Sequence, residues 1–105
     1  MITIKYRPNT NSLTIKGHAT PIVCAAASMV FYNLCAVLRE YPEEAFALPL
    51  EMKEALGKRG VTSVKCMPSK AYETLIDHDF FYALKGYETL MGNYPEHVNL
   101  VVMQK

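Results

Sequence analysis

Hydrophobic and polar residues alternate with a period of two at the start of the chain. Residues 2–7 (ITIKYR) place apolar side chains on one face and polar ones on the other, which is typical of a half-buried strand. Residues 8–12 (PNTNS) have the composition of a turn. Alternation resumes with Leu13 and Ile15, so the pattern predicts a β-hairpin over residues 2–18.

A long apolar helix is predicted after the hairpin. Thr20 can cap the free backbone N–H groups of a helix, and Pro21 suits the first helical position. The apolar pattern continues to about Glu40. The pair Tyr41-Pro42 ends it, because a proline disfavours helical geometry in the preceding residue.

Residues 43–68 carry a weaker pattern. Residues 50–54 can alternate as a strand, although the letters EMKEAL also fit a helical turn. A glycine-containing turn at 57–60 precedes an alternating segment, 62–66, which ends before Pro68. We therefore favour a second hairpin, whose first strand is the less certain from pattern alone.

The remaining chain predicts a helix and a final strand. The helix begins at Ser69 and ends near Gly92-Asn93, because Gly or Asn often takes the left-handed turn after a helix. Its apolar stripe at the 3.6-residue period consists of Tyr72, Leu75, Ile76, Phe80, Ala83, Leu84, Tyr87, Leu90 and Met91. Residues 97–103 then alternate as a strand.

The predicted order is ββαββαβ. Five strands and two helices in this order indicate an α+β fold, a two-layer sandwich in which a mainly antiparallel five-stranded sheet packs with two helices. We found no repeat, linker or low-complexity tract, so residues 1–105 are expected to form a single domain.

Composition and charge exclude several functions. Eleven basic against ten acidic residues leave no electrostatic footprint for nucleic acid, so no direct nucleic-acid partner is expected. The three cysteines form no CxxC pair, and the three histidines are far apart in sequence, which argues against a disulfide framework and a metal site. We predict reduced thiols in the cytoplasm, no metal and no cofactor.

The segment 21–38 contains 18 residues without a charge, which reaches the lower limit for a membrane span. Its alanines, Ser28 and Asn33 favour instead a helix buried on more than one side. No basic region precedes it, so we expect neither a signal peptide nor a membrane partner. A helix that is apolar nearly all round needs a dimer interface or another covering element.

The segment GHATPIVCAAAS, residues 17–28, carries the candidate chemistry. His18 ends the predicted hairpin, and Cys24 lies in the first turn of the helix. A thiolate is the nucleophile in cysteine chemistry, and a helix N-terminus together with a nearby imidazole favours it. Free N–H groups there could stabilise an oxyanion, and Gly17 would leave room for a substrate backbone. By spacing alone the pair is a weak signal, since a cysteine in an alanine-rich helix is usually plain packing.

The other chemically active residue types have simpler interpretations. Cys35 and Cys66 are expected in the core, and His78 and His97 at the surface or a sheet edge. The aromatic residues expected to serve core and helix-face packing, rather than nucleic-acid stacking, are Phe80, Phe81, Tyr82 and Tyr87.

The motif residues resemble a known signature. GHA at 17–19, IVCAA at 22–26 and Ser28 are similar to the signature of the bacterial ribosomal-processing cysteine proteases. The resemblance extends to the MITI start, both helices and the closing segment YPEHVNL at 94–100. It implies that Cys24 is the nucleophile, that His18 is the general base, and that Ser28 is a supporting residue beneath the thiol. It also favours the second hairpin.

The resemblance further implies a cytosolic homodimer that removes an N-terminal extension from a ribosomal protein, and related sequences act on phage capsid or scaffold proteins. Two departures stand out. The loop between histidine and cysteine is short, residues 19–23, and Pro21 replaces a commonly acidic residue. They indicate a divergent member of phage or mobile-element origin. Two hypotheses remain: a specific cysteine endopeptidase, which we favour, and an inactive, dimeric peptide- or protein-binding domain.

Overall fold

The fold consists of five strands and two long helices. The computed structural model describes residues 1–54 and 61–104. The strands are β1 (Ile2–Arg7), β2 (Ser12–Gly17), β3 (Glu51–Lys53), β4 (Thr62–Lys65) and β5 (Val98–Val102). The helices are α1 (Pro21–Arg39) and α2 (Glu73–Asn93). The predicted ββαββαβ order and α+β class are therefore confirmed.

The strands form one sheet in the order β3-β4-β2-β1-β5. The β1–β2, β2–β4 and β3–β4 pairs are antiparallel, which confirms both hairpins; the turn predicted at 57–60 lies outside the described residues. The β1–β5 pair is parallel, with Ile2 opposite Val98 and Ile4 opposite Leu100. A parallel neighbour of β1 cannot be read from the sequence, because alternation does not specify strand direction.

Both helices cover one face of the sheet. The inward positions of the strands are buried, as the alternation predicts. The buried apolar residues of the strands are Ile2, Ile4, Tyr6, Leu13, Ile15, Val64 and Val98. They pack with Phe31, Leu34 and Leu38 of α1, and with Ile76, Phe80 and Tyr87 of α2, in one core. The opposite face is polar, with Lys5 and Lys65 exposed on it.

A buried polar network joins the first turn to α2. Asn11 is only 4% exposed and adopts the left-handed region with φ of 43°, which Asn tolerates better than most residues. Its amide oxygen accepts a hydrogen bond from the Tyr6 hydroxyl at 2.6 Å, and its amide nitrogen donates to Asp77 at 2.9 Å. Burial and the negative Asp77 raise the pKa of Tyr6 to about 12. The network ties β1, the turn and α2 together.

The second helix begins later than the pattern predicts. A 3-10 turn, Lys70–Tyr72, follows Ser69, and α2 starts only at Glu73. Ser69 donates from its backbone N–H to Ala45 and from its hydroxyl to Glu44, so its polar groups hold a neighbouring segment instead of capping α2.

Several apolar side chains of α2 are more exposed than the sequence predicts. Leu75 is exposed although it belongs to the predicted stripe. Phe81 and Tyr82, expected in core or helix-face packing, lie on the outer face of α2 beside His78. Helical spacing reaches the flanks of an apolar stripe as well as its centre, and only the centre of α2 meets the sheet and α1.

The first helix has one buried face, not several. Its buried residues are Val23, Ala27, Phe31, Leu34, Cys35 and Leu38. The expectation of burial on more than one side is therefore wrong for the single chain, because α2 and the sheet lie on the same side of α1. By length and composition alone, Pro21–Arg39 could also cross a membrane, although its buried face packs as that of a core helix does.

Candidate active site

The site begins where β2 leaves the sheet. Gly17 has a φ of +106°, and a Cβ placed there would lie 2.1 Å from the backbone oxygen of Met1. Only glycine fits this position, because both the conformation and the close approach exclude a side chain. The sequence predicts that Gly17 leaves room for a substrate backbone. In the structure, glycine is required at this position because a side chain would collide with the backbone of Met1. The α-amino group of Met1 also donates to the backbone oxygen of His18 at 2.8 Å.

The N-terminus of α1 follows three residues after His18. Thr20 occupies the N-cap position, but its hydroxyl makes no capping hydrogen bond, so the predicted side-chain cap is wrong. Its backbone oxygen instead accepts from the N–H of Cys24 at 2.9 Å. The N–H groups of Ile22 and Val23 have no carbonyl four residues earlier within the helix, as at every helix start. The extended Thr20 and the fixed φ of Pro21 therefore start the helix without a cap.

Cys24 lies in the first turn of α1 and is partly exposed. Its Sγ donates a hydrogen bond to the backbone oxygen of Ala19 at 3.4 Å. One helical turn later, the Ser28 hydroxyl donates to the backbone oxygen of Cys24 at 2.7 Å. The thiol therefore points back toward the loop that carries His18, and Ser28 holds the carbonyl of the same residue.

His18 and Cys24 lie at the same loop–helix junction, since the thiol contacts the residue that directly follows His18. The His18 side chain is exposed. Within residues 1–54 and 61–104, no hydrogen bond joins the imidazole to the thiol; the Ala19 carbonyl is the partner of Cys24 instead. The structure thus places the two predicted residues on adjoining segments, with the thiol against the residue that follows His18.

The other two thiols are inaccessible. Cys35 and Cys66 are 2% and 1% exposed, which confirms that both belong to the core. Burial raises the pKa of both, and that of Cys66 reaches about 11 because Asp77 and Asp79 add negative charge nearby. Of the three cysteines, only Cys24 is partly exposed.

The remaining histidines lie on other elements of the fold. His78 is exposed on α2 and stacks on Phe81, and His97 is half-buried before β5, both as predicted. In the part of the chain that the structure describes, no three His, Cys, Asp or Glu side chains are grouped closely enough to hold a metal ion.

Two contributors to the site act through their backbones and left no signal in the sequence. The Ala19 carbonyl holds the thiol, and Met1 holds the segment on which His18 lies. A backbone group can be contributed by any residue type, so pattern analysis could not have identified either. Chemically, the junction offers a thiol, an imidazole and free backbone N–H groups, which is the set that acyl transfer requires.

The fold is similar to that of solved bacterial proteins. The structure of an essential ribosomal-processing protease, Prp, from Staphylococcus aureus with a covalently linked product peptide has a TM-score of 0.72 and 19% identity, covering 98% of this chain and 100% of that one. The same protease with a substrate peptide gives a TM-score of 0.74 at 17% identity, with the same coverage. SMU.848 from Streptococcus mutans gives 0.68 at 23% identity, covering 99% and 93%.

No protein-family model matches the chain, and no curated protein matches it. The likeness to the solved protease nevertheless extends over nearly the whole length of both chains, so the predicted resemblance is confirmed at the level of the fold.

Proposed function

We propose that this protein is a cysteine endopeptidase of the ribosomal-processing type, with Cys24 as nucleophile and His18 as general base. The observation that carries the proposal is the position of Cys24: it is the partly exposed one of the three cysteines, and its thiol lies in the first helical turn against the residue after His18. The shared fold with a protease seen in complex with peptides supports the same activity.

The proposed reaction is acyl transfer through a thioester. His18 accepts the thiol proton while the Cys24 sulfur attacks the scissile carbonyl carbon. The C–N bond then breaks, and the proton passes from His18 to the departing amine. Water next attacks the thioester carbonyl, with His18 taking its proton, and the C–S bond breaks to release the carboxylate and restore the thiol. The free N–H groups at the start of α1, on Ile22 and Val23, are the proposed donors to the oxyanion.

The resting hydrogen bond must break before attack. The Cys24 thiol donates to the Ala19 oxygen, so it has to turn away from that carbonyl to reach His18. The His18 side chain is exposed and is therefore not held in place by core packing. Such pairs often align only when substrate is bound, so the resting geometry is compatible with this mechanism.

The substrate part of the proposal rests on the resemblance. We expect one specific cut in an N-terminal extension of a ribosomal or phage structural protein, made by a homodimer in the cytoplasm. The solved relative bound to a substrate peptide supports a peptide substrate.

An inactive binding domain is the second candidate, and two observations favour it. The thiol of Cys24 is satisfied by a backbone carbonyl instead of an imidazole. Pro21 also stands where an acidic residue would orient the histidine in the family pattern. A domain that only binds peptide would tolerate both features.

The decisive experiment compares cleavage by matched variants. The purified chain is incubated with a peptide library made from a digested bacterial proteome, and new peptide termini are identified by mass spectrometry. Cys24→Ala should abolish cleavage, and His18→Ala should lower kcat/KM by about 10²–10⁴-fold, the usual contribution of a general base. Cys66→Ala and His78→Ala are the controls, because each removes the same residue type away from the junction.

The outcomes separate the two functions. Cleavage that survives in Cys24→Ala would contradict the peptidase mechanism. Specific peptide binding by wild type and Cys24→Ala alike, without new termini in either, would establish the binding domain in its place.

A further inference from the structure

The face of the sheet opposite the helices carries charge of mainly one sign. In the strands that the structure describes, alternation directs five basic side chains and the acidic Glu51 to this face. The basic residues, all exposed, are Lys5, Arg7, Lys16, Lys53 and Lys65. We call this surface the basic sheet face. Of the 11 basic and 10 acidic residues of the chain, this leaves six basic against nine acidic elsewhere, so the rest of the sequence is net negative.

The register of the sheet surrounds hydroxyl groups with basic side chains. Thr14 lies opposite Lys5 of β1. Ser12 lies opposite Arg7 on one side and Lys65 on the other. Neighbouring strands are about 4.8 Å apart, so the patch from β3 to β1 is about 14 Å across. An anion at its centre would meet hydroxyl donors beneath it and ammonium or guanidinium groups around it.

These groups are available to a partner. Within residues 1–54 and 61–104, no hydrogen bond or ion pair engages the five basic side chains or the hydroxyls of Ser12 and Thr14. Even Lys65 and Glu51, which lie opposite each other in the register, form no ion pair in this part of the chain. Like charges held this close repel one another, and an anionic partner relieves that repulsion. The face is therefore complementary to negative charge.

The side chains of the face distinguish between the polyanions that would cover it. Its outward positions, in the described strands, include no aromatic residue and one apolar residue, Val101. Stable binding to an anionic membrane combines charge with an inserted apolar or lipid anchor, which a lone valine does not supply. Base stacking needs aromatic side chains, and reading of base edges needs an element that enters a groove. Cations and hydroxyls on a flat face instead match the sugar-phosphate backbone, which Lys, Arg, Ser and Thr contact irrespective of sequence.

We infer that the basic sheet face binds the phosphate backbone of a single-stranded nucleic acid without selecting its sequence. A flexible single strand can lie flat across the patch, whereas a stiff duplex curves away from a flat surface. The overall charge of +1 argues against a nucleic-acid partner because it averages this face with the net negative remainder. The charges separate only when the strands pair. Binding at this face goes beyond the proposed peptidase activity and does not depend on it.

The first test measures binding and its dependence on salt. Fluorescence anisotropy of a labelled poly(U) RNA of about 16 nucleotides, within the range of single-strand binding sites, gives the affinity of the wild-type chain. Neutralisation of five phosphates predicts a log–log slope of about −3.5, so the affinity should fall about 100-fold between about 50 and 200 mM salt. Poly(A) of the same length should bind with similar affinity, because its backbone is identical.

Paired variants test the location of the site. Lys5→Gln combined with Lys65→Gln should lower the affinity for poly(U) at least about tenfold and make the slope shallower by about 1.4. Arg39→Gln combined with Lys85→Gln is the matched control, because it removes the same net charge from exposed positions on the two helices. The control should bind as the wild type does. Circular dichroism checks that both double variants fold.

Nuclear magnetic resonance locates the bound strand without relying on a loss of affinity. Addition of poly(U) to the isotope-labelled wild-type chain should shift the backbone amide signals of β1, β2 and β4, including those of Lys5, Thr14 and Ser63. The amide signals of Met29 and Tyr32, on the outer side of α1, should stay in place.

Three results would overturn the inference: no binding of poly(U) by the wild type at about 50 mM salt, an equal loss of affinity in the two double variants, or signal shifts confined to the helices. Binding to vesicles of equal parts phosphatidylglycerol and phosphatidylcholine, without binding to poly(U), would assign the face to an anionic membrane instead. None of these readouts uses cleavage, so the peptidase proposal and this one stand or fall separately.

Discussion

The thiol of Cys24 donates its hydrogen bond to the backbone oxygen of Ala19, the residue that follows His18, at 3.4 Å. This single contact orients the candidate nucleophile toward the loop that carries the candidate base. If the two residues act as the proposed pair, the reactivity of Cys24 should depend on whether the His18 imidazole can replace the Ala19 carbonyl as the partner of the thiol.

Alkylation should single out Cys24. Treatment with iodoacetamide near pH 8 is expected to label Cys24, because it is the partly exposed cysteine, while the buried Cys66 stays unmodified. Burial and nearby carboxylates raise the pKa of Cys66 to about 11. The fraction of Cys66 present as thiolate near pH 8 is therefore on the order of one in a thousand, and burial further limits access of the reagent. Peptide mass spectrometry of the labelled chain checks the result.

The same measurement in His18→Ala tests the pairing. If the imidazole assists Cys24, labelling should slow in this variant and remain unchanged in His78→Ala. Equal labelling rates in wild type and His18→Ala would argue against an activated pair and for the binding-domain alternative.

Ser28 should matter more for activity than for stability. Its hydroxyl donates to the Cys24 carbonyl four residues earlier, a contact worth about 1 kcal/mol at most in a helix. Ser28→Ala should therefore keep its free energy of unfolding within about 1 kcal/mol of wild type and slow both cleavage and alkylation at Cys24. Ser28→Thr retains the hydroxyl and should restore the rates. A Ser28→Ala variant as active as wild type would show that Ser28 does not contribute to the site.

Gly17 should be intolerant of any side chain. Gly17→Ala would require a Cβ 2.1 Å from the Met1 oxygen and a positive φ, so a loss of about 2 kcal/mol or more in unfolding free energy is expected. Gly92→Ala is the opposite control: it lies in α2 with open space around its Cα and should stabilise by about 0.5–1 kcal/mol. Urea denaturation of both variants gives the two values. Equal stability of Gly17→Ala and wild type would contradict the close approach.

The buried tyrosines should make stability fall at alkaline pH. In the folded state the pKa of Tyr6 is raised to about 12, against 10.0 ordinarily. Above pH 10 the unfolded chain therefore binds fewer protons than the folded one. The raised pKa of Tyr6 contributes to the free energy of unfolding. This contribution is fully present below pH 10 and is lost as pH rises toward 12, at roughly 1.4 kcal/mol per pH unit for such a group. Tyr41 and Tyr87 shift in the same direction.

Denaturation curves between pH 9 and about 12 test this linkage. Tyr6→Phe should flatten the alkaline decline, because the group responsible is gone, although its overall stability drops with the loss of the Asn11 hydrogen bond. Tyr82→Phe, at a side chain 73% exposed, should leave the slope as in wild type. An unchanged slope in Tyr6→Phe would show that the folded state does not protect this proton.

Local patterns predicted most of the fold correctly because each depends on only a few neighbouring residues. Alternation located β1, β2 and β4, and helical spacing located both long helices. The errors arose where a residue's partner lies far away. Ser69 has the composition of a helix start, yet its hydrogen bonds go to Glu44 and Ala45, so α2 begins four residues later.

In the candidate site, too, local signals predicted some features and tertiary contacts decided the others. The sequence alone placed His18 at a strand end and Cys24 in a first helical turn, because a turn, a proline and an apolar run are local signals. Only the tertiary structure decided that the thiol rests on Ala19, that Met1 forces glycine at position 17, and that one side of α1 stays uncovered. Those features depend on which backbone groups and surfaces meet after folding, and the identities of nearby residues do not encode that choice.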